Sequence, residues 1–386
     1  MPEFHSRFEK IDRRVPIDEH NCAVQFDVTK CKNCTLCRRA CADTQTVLDY
    51  YSLSSTGDMP ICVHCGQCSS ACPFGAIVEV NDVDKVKAAL KDPEKIVIFQ
   101  TAPAVRVGLG EAFGMDPGTF VEGKMVAALR TLGADYVFDT DFGADLTSME
   151  EATELLHRLQ SEEIPIPQFT SCCPAWVEFA ETFYPDLLQH LSSTKSPISI
   201  LSPVIKTYFA QQKNIDPKKI VNVCVTPCTA KKAEIRRPEL SAAGLFWDEP
   251  EIRDTDICIT TRELAQWIQD ENIDFANLED GQFDKAFGEA SGGGRIFGNS
   301  GGVMEAAIRT AYHMFTGRPA PKDFIPFEPV RGLQGVKKAT VIFGHFVLHV
   351  AAISGLGNAR AFIDDLIKND SFEDYSFIEV MACPGG

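Results

Sequence analysis

Eight cysteines fall in two runs of identical spacing, Cys31, Cys34, Cys37, Cys41 and Cys62, Cys65, Cys68, Cys72, with every member of the second run displaced by 31 residues from its counterpart. The run C-x-x-C-x-x-C-x-x-x-C, completed by Pro73 in the second copy, lets a short loop wrap three thiolates around one cubane and send the fourth to another. The spacing assigns Cys31, Cys34, Cys37 and Cys72 to one 4Fe-4S cluster, and Cys62, Cys65, Cys68 and Cys41 to a second. A pair of zinc knuckles is the alternative, but zinc takes four ligands and has no use for the third evenly spaced cysteine. Ala42 stands where the first run would carry its proline, which weakens the turn without removing a ligand. His64, inside the second run, is placed to tune that cluster by a hydrogen bond. A segment with turn-rich stretches such as Ser54 to Pro60 and one brief strand, Ala76 to Val80, is organised by its ligands more than by a core.

The chain has 386 residues, 15 of them cysteine, and a formal net charge of -17. An odd number of cysteines without an export signal reads as metal ligation in a reducing compartment, not as a disulfide framework. The negative charge excludes nucleic acid and anionic membrane as partners, because their phosphates would be repelled. No window reaches the ~20 apolar residues of a spanning helix, and the N-terminal MPEFHSRFEKIDRRVPIDEHN lacks an apolar signal core, so a soluble cytoplasmic protein is expected.

From Lys95 the pattern changes to apolar strand runs (Ile96 to Phe99, Tyr136 to Phe138, Ile220 to Val225, Ala339 to Phe343) alternating with amphipathic helices (Val121 to Leu132, Ser148 to Gln160, Arg262 to Asp270, Val303 to Phe315). A helical stretch from Asp82 to Lys91 ends at Asp92-Pro93, a linker. The reading is an α+β ferredoxin-like domain over residues 1–92, followed by an α/β domain over 93–386. Three further cysteine segments lie far apart: Thr170-Ser171-Cys172-Cys173-Pro174-Ala175-Trp176, Thr226-Pro227-Cys228-Thr229-Ala230-Lys231-Lys232, and Glu379-Val380-Met381-Ala382-Cys383-Pro384-Gly385-Gly386. With Pro or Gly at their turns they can converge on one metal centre.

In this order, behind a two-cluster segment, they resemble the signature segments of iron-only hydrogenases over essentially the whole chain. The likeness extends to Thr101-Ala102-Pro103-Ala104-Val105-Arg106, to Phe142 through Thr147, and to Ile296-Phe297-Gly298-Asn299-Ser300-Gly301-Gly302-Val303-Met304-Glu305. The resemblance implies the fold of that family's catalytic domain and an H-cluster, a 4Fe-4S cubane bridged by a cysteine to a two-iron unit carrying carbonyl, cyanide and azadithiolate. Cys173, Cys228 and Cys383 are then cubane ligands. Lys231 would hydrogen-bond a cyanide, as suits an ammonium in a desolvated site. Ala102, Pro103, Ala104, Thr226, Phe297 and Met381 would line the cofactor. The implied reaction is reversible conversion of two protons and two electrons to hydrogen, with an open iron as Lewis acid and the cofactor amine as proton acceptor.

The same resemblance makes Cys172 the first proton acceptor and continues the relay through Glu151, Ser192 and Glu154. Glu151 and Glu154 lie one helical turn apart and share a face. Read without it, Thr147 with Glu150, or Ser148 with Glu151, fits a capping box. Gly298 to Gly302 either aims backbone N–H groups at the cluster or forms only a tight turn. Lys30, Lys32, Arg38 and Arg39 would offer an acidic carrier such as ferredoxin a positive patch. Cys22, Cys224 and Cys258 match no ligand position, and Cys224 is expected to pack as a small hydrophobe.

Thr226 and Ile198 stand where the family usually has Met and Gln, which bears on cluster potential and catalytic bias. The family's third segment continues with one more cysteine after the residues matching Gly385-Gly386. The expectation is therefore a truncated or incomplete signature, completed through a recoded codon or a small partner subunit. Competing expectations are a slow hydrogen sensor and an iron–sulfur electron-transfer or assembly protein lacking the two-iron unit.

Overall fold

Strands β1 (Val24–Phe26) and β2 (Ile77–Glu79) pair antiparallel, Gln25 opposite Val78, and bracket the two cysteine runs. The structure, a computed structural model, describes residues 13–161, 164–330 and 334–385, so the first part of the N-terminal stretch discussed above and the closing Gly386 lie outside the described residues. The apolar core beneath this hairpin is thin, built on Ala23, Val24, Ala76 and Ile77. The sequence repeat is visible in the backbone. Asn33 and His64 take φ of 53° and 57°, and Thr35 and Gly66 take 73° and 72°, at matching places of the two runs. The N–H groups of Asn33 and His64 each donate to the first thiol of their run at 3.4 Å.

The remaining strands are β3 (Ile96–Thr101), β4 (Tyr136–Asp139), β5 (Gln168–Phe169), β6 (Ile220–Thr226), β7 (Ile257–Thr260), β8 (Glu328–Pro329), β9 (Val336–Phe343), β10 (Phe346–Ser354) and β11 (Phe377–Met381). They form a four-stranded parallel sheet in the order β4-β3-β6-β7 and a five-stranded sheet in the order β5-β11-β10-β9-β8. In the second sheet β5, β11 and β10 run parallel, while β9 and β8 continue antiparallel. The burial patterns follow from this. β6 is almost continuously buried, as expected of a parallel strand covered on both faces, whereas β9 alternates towards its end because one face meets solvent.

Every predicted strand and helix of the α/β part is present, and one begins earlier than expected. The helix predicted from Ser148 runs Thr140–Gln160, capped by Asp139, whose carboxylate accepts the Asp141 N–H at 3.0 Å. Its first two turns hold Gly143 and aspartates, weak helix formers that hide the start. Gly143 is required where it packs: a Cβ there would strike the Pro197 carbonyl. The capping-box reading is thereby corrected. Thr147 and Ser148 are interior residues, their hydroxyls donating to the carbonyls of Gly143 (3.0 Å) and Ala144 (2.9 Å).

The division at residue 92 is also blurred by packing. Helix Val83–Lys91 buries Val83 and Val86 in one core with Val97, Phe99, Leu264 and Ile268. At its start, Lys232, 1% exposed, bonds Asp82 (2.8 Å), Glu263 (2.9 Å) and the Cys258 carbonyl (2.7 Å), locking the cysteine-run unit to the sheet.

Candidate active site

The three distant cysteine segments leave the carboxyl ends of strands in both sheets, two in the five-stranded sheet and one in the four-stranded sheet. β5 leads through Thr170 and Ser171 to Cys172 and Cys173, β6 leads to Cys228, and β11 leads to Cys383. That end of a parallel sheet is where ligands collect, because the loops converge there and helices begin. Cys173 is the N-cap of helix Pro174–Phe183, and its thiol accepts the Ala382 N–H at 3.4 Å, tying the third segment to the first. Desolvation by surrounding protein and then the neighbouring thiols push Cys228 and Cys383 up to about 12, although Cys383 still reaches solvent. Burial likewise raises Cys173, against the N–H groups and the Lys231 charge that lower it.

Thiols held so high stay protonated unless a cation takes their charge, so the donor set fits iron. Among the described residues no group of three His, Cys, Asp or Glu converges on a single ion.

The cysteine runs show the same chemistry. Cys31, Cys34, Cys37 and Cys72 line one cavity with Phe26, Phe74 and Ile77. Desolvation raises Cys65 and Cys68 and takes Cys41 up to about 11; backbone N–H groups oppose it and the neighbouring thiols add to it. At Cys72 desolvation opposes ionisation, but backbone N–H groups from Phe74 to Ile77 outweigh it and lower the thiol. Cys31, Cys34, Cys37 and Cys72 thus lie around one cavity, and Cys41, Cys65 and Cys68 lie near Cys62.

His64 joins this unit to the three converging segments. Its carbonyl accepts from Thr229 Oγ1 at 2.9 Å, its Nδ1 lies 2.7 Å from Glu178, and burial notwithstanding, Cys22 and Glu178 hold its pKa up to about 10. Gly66, at positive φ, lies where a Cβ would run into the Thr229 side chain. Val63, Cys173 and Ala230 share one core, against which Cys41, Cys65 and Cys228 pack. Cys22, which the sequence left without a role, partners His64.

Lys231 is buried with its Nζ 3.0 Å from the Cys172 carbonyl and 2.8 Å from Glu234. Burial opposes its charge, but Glu234 and Cys228 more than restore it. Ala102 donates its N–H to the Val225 carbonyl at 2.9 Å, which sets the half-buried Ala102–Pro103–Ala104 turn beside the Cys228 loop. Thr226 is buried and accepts the Cys228 N–H at 3.4 Å. Met381 packs against the core holding Cys173, and Phe297 is half-buried in its turn. Ile198 packs with Cys224 and Cys258, which sit opposite one another on β6 and β7.

Glu154 and Glu151 lie one helical turn apart, and a set of hydrogen bonds gathers on Glu154. Ser192 Oγ donates to Glu154 at 2.9 Å, Ser193 adds its N–H and hydroxyl at 3.0 Å each, and Arg158 closes the other oxygen at 2.7 Å. Glu151 is fully buried, and burial pushes its carboxyl up to about 8, with Gln168 and Ser192 working the other way. Burial also raises the Cys172 thiol, and Glu379, Cys173 and Glu151 add to it. Gln168, which the sequence did not single out, donates to Glu151 at 2.6 Å.

The Gly-rich loop resolves differently from both expectations. The N–H groups of Gly301 and Met304 donate to the carboxylate of buried Glu379 at 2.8 and 2.9 Å, so this helix start is committed within the chain. Three of the four cations of the basic patch have acidic partners: Asp27 pairs Lys30 at 3.5 Å, Asp43 pairs Arg39 at 3.7 Å, and Asp49 pairs Arg38. These exposed pairs lower the net positive charge that the patch presents.

Residues 95–386 match the family model for the iron only hydrogenase large subunit, C-terminal domain, and residues 58–78 match the 4Fe-4S binding domain. The chain belongs to the iron-only hydrogenase family. It is 46% identical over 377 residues to the NADP-reducing hydrogenase subunit HndD of Solidesulfovibrio fructosivorans, covering 93% of this chain and 62% of the relative. It is 44% identical over 387 residues to iron hydrogenase 1 of Clostridium pasteurianum, covering 97% and 65%. The chain thus spans somewhat under two thirds of these relatives. Among solved structures, that of an apo [FeFe]-hydrogenase HydA1 variant from Chlamydomonas reinhardtii superposes with a TM-score of 0.70 at 39% identity, covering 80% of this chain and 83% of that one. A weaker likeness, 30% identity over 338 residues covering 84% of this chain and 69% of the relative, joins it to the cytosolic iron–sulfur assembly component 3 of Bos taurus. It is an iron–sulfur protein by both family matches, and among its described residues no helix is long and apolar enough to cross a membrane.

Proposed function

We propose that this iron-only hydrogenase chain interconverts hydrogen with two protons and two electrons. The observation that carries the reading is a set of proton-bearing side chains, buried at Cys172, Glu151 and Ser192 and half-buried at Glu154, beside three converging thiols. A scaffold or assembly protein would need the thiols but not the run.

Cys173, Cys228 and Cys383 would hold the cubane of the H-cluster, and Ala102, Pro103, Ala104, Thr226, Phe297 and Met381 would shape its pocket. When bound, this cofactor supplies an open iron position and a bridgehead amine at which hydrogen is split or formed. Lys231 contributes a fixed ammonium, held by Glu234, in a place where water cannot screen it. Cys172 takes or gives the proton at its Sγ, and Glu151 stores it as a neutral acid below about pH 8. Ser192 hands it to Glu154, whose second oxygen is held by Arg158.

Electrons would pass through two 4Fe-4S clusters on the ligand sets Cys31, Cys34, Cys37, Cys72 and Cys62, Cys65, Cys68, Cys41. The approach of the second set to the Cys228 loop, at Gly66 and Thr229, supports that direction of flow. A ferredoxin-like carrier in the cytoplasm is the fitting partner, and a small subunit is compatible with it. Because Lys30, Arg38 and Arg39 are paired internally, docking should depend weakly on salt.

The test is anaerobic expression with the cofactor-maturation machinery, followed by infrared spectra and hydrogen evolution driven by reduced methyl viologen. Carbonyl and cyanide bands with turnover are expected. Iron–sulfur signals without those bands, and without hydrogen, would move the chain to the assembly-like class.

A further inference from the structure

Gln168 is fully buried on β5, four positions before Cys172, and its backbone N–H is fixed to the Ser376 carbonyl at 3.0 Å. Its side chain crosses to the helix Thr140–Gln160 and donates Nε2 to Glu151 Oε2 at 2.6 Å and to the Glu151 carbonyl at 3.3 Å. Among the described residues neither Gln168 Oε1 nor Glu151 Oε1 has a hydrogen-bond partner, although both are buried. The amide therefore holds one carboxyl oxygen and leaves the other unengaged.

The surroundings make this contact decisive for Glu151. The charged and titratable groups facing it are Glu154 and Arg158 on its own helix and Cys172 beyond the end of β5, with Ser192 adding a hydroxyl. The helix Gly302–Thr316, packed on the same helix, brings Met304, Ala307, Ile308 and Ala311, all apolar. Helix Gly292–Ile296 directs Arg295 to Asp141. Of the two neutral groups beside Glu151, Gln168 donates to its carboxyl at 2.6 Å, whereas the Ser192 hydroxyl donates to Glu154 at 2.9 Å.

We infer that Gln168 is a positioning residue of the proton run: it pins Glu151 Oε2, so that Oε1 is the oxygen that exchanges the proton, and it steadies the ionised form. The inference rests on the hydrogenase reading for its purpose, but not for its geometry. An amide suits the task because it has no proton of its own to lose near neutral pH. If it turned over, Oε1 would accept from the neutral carboxyl, so one residue can serve both protonation states.

The experiment compares the chain with Gln168→Met, which keeps length and volume but has no donor. Infrared difference spectra against Glu151→Gln isolate the protonated-carboxyl band of Glu151, which is then titrated. Loss of a hydrogen bond to the charged form should move the midpoint upward by about one to two pH units. In the loaded protein the alkaline limb of hydrogen evolution should move with it. An unchanged midpoint in folded Gln168→Met overturns the inference. Should that variant not fold, Gln168→Asn, whose amide falls one methylene short, is read by the same criterion. A shifted band in a chain that makes no hydrogen would uphold the positioning role and sink the hydrogenase reading; turnover with an unshifted band would do the reverse.

Discussion

In the cysteine-run unit a thiol and the N–H that holds it are two residues apart, Asn33 to Cys31 and His64 to Cys62, whereas the Ala382 N–H that meets the Cys173 thiol lies 209 residues away. The first unit encloses little apolar surface and is shaped by its ligands. The second has a sheet-based core and uses it to bring thiols and carboxylates together from remote segments. The contrast teaches where stability resides: in one region it should leave with the iron, and in the other it should stay.

Removing iron by anaerobic chelation is therefore the largest perturbation. Amide protection should vanish over residues 22–80 while β3 and β6 keep theirs, as read by hydrogen exchange. Equal loss in both regions would break the contrast.

Next in size is Glu151→Gln, which tests whether the sheet-built region does its chemistry with buried side chains. Hydrogen evolution should fall by about 10²- to 10⁴-fold, the range of a lost general acid or base, with the iron–sulfur spectra unchanged. In the parent chain, evolution should decline as pH rises through about 8, where the buried carboxyl loses its proton. A Glu151→Gln variant of near-normal rate would remove the run from the mechanism.

How much of this was legible follows the same divide. The two runs declare their ligands because a cubane loop is local, and even the left-handed positions recur at the repeat distance, Asn33 with His64 and Thr35 with Gly66. The strands β3, β4 and β6 were legible from apolar runs, since parallel strands are buried on both faces. Cys173, Cys228 and Cys383 were legible only through resemblance, because no spacing rule links residues brought together by strand order. Gln168 and Glu379 were not legible. Their partners lie 17 and 78 residues away, and a lone Gln or Glu in an apolar strand carries no sign of what it will face.

The seam between the regions offers a smaller test. Lys232 is clasped by Asp82 from one side and Glu263 from the other. Lys232→Met would leave buried Glu263 without a cation and Asp82 with Lys85 alone, and should cost about 3–5 kcal/mol in denaturant unfolding. A loss below about 1 kcal/mol would mean that apolar packing of Val83 and Val86 alone holds the seam.

The smallest effect concerns Glu379, and it separates burial from ligand binding as the source of order in the Gly-rich loop. Burial raises this carboxyl to about 7, against the N–H groups of Met304, Gly301 and Val303 that lower it. With the folded value above the unfolded one, the native state binds the proton more tightly. Stability from this group is full at low pH and is lost as pH rises through about 7. Glu379→Gln cannot titrate, and its amide sets a donor against one of two N–H donors, at a cost of about 1–3 kcal/mol. The deficit of the variant should therefore be largest near about pH 5 and shrink by about pH 8. Glu151 titrates in both proteins and cancels from the difference. A deficit independent of pH would show that the loop owes its shape to something other than the Glu379 carboxyl.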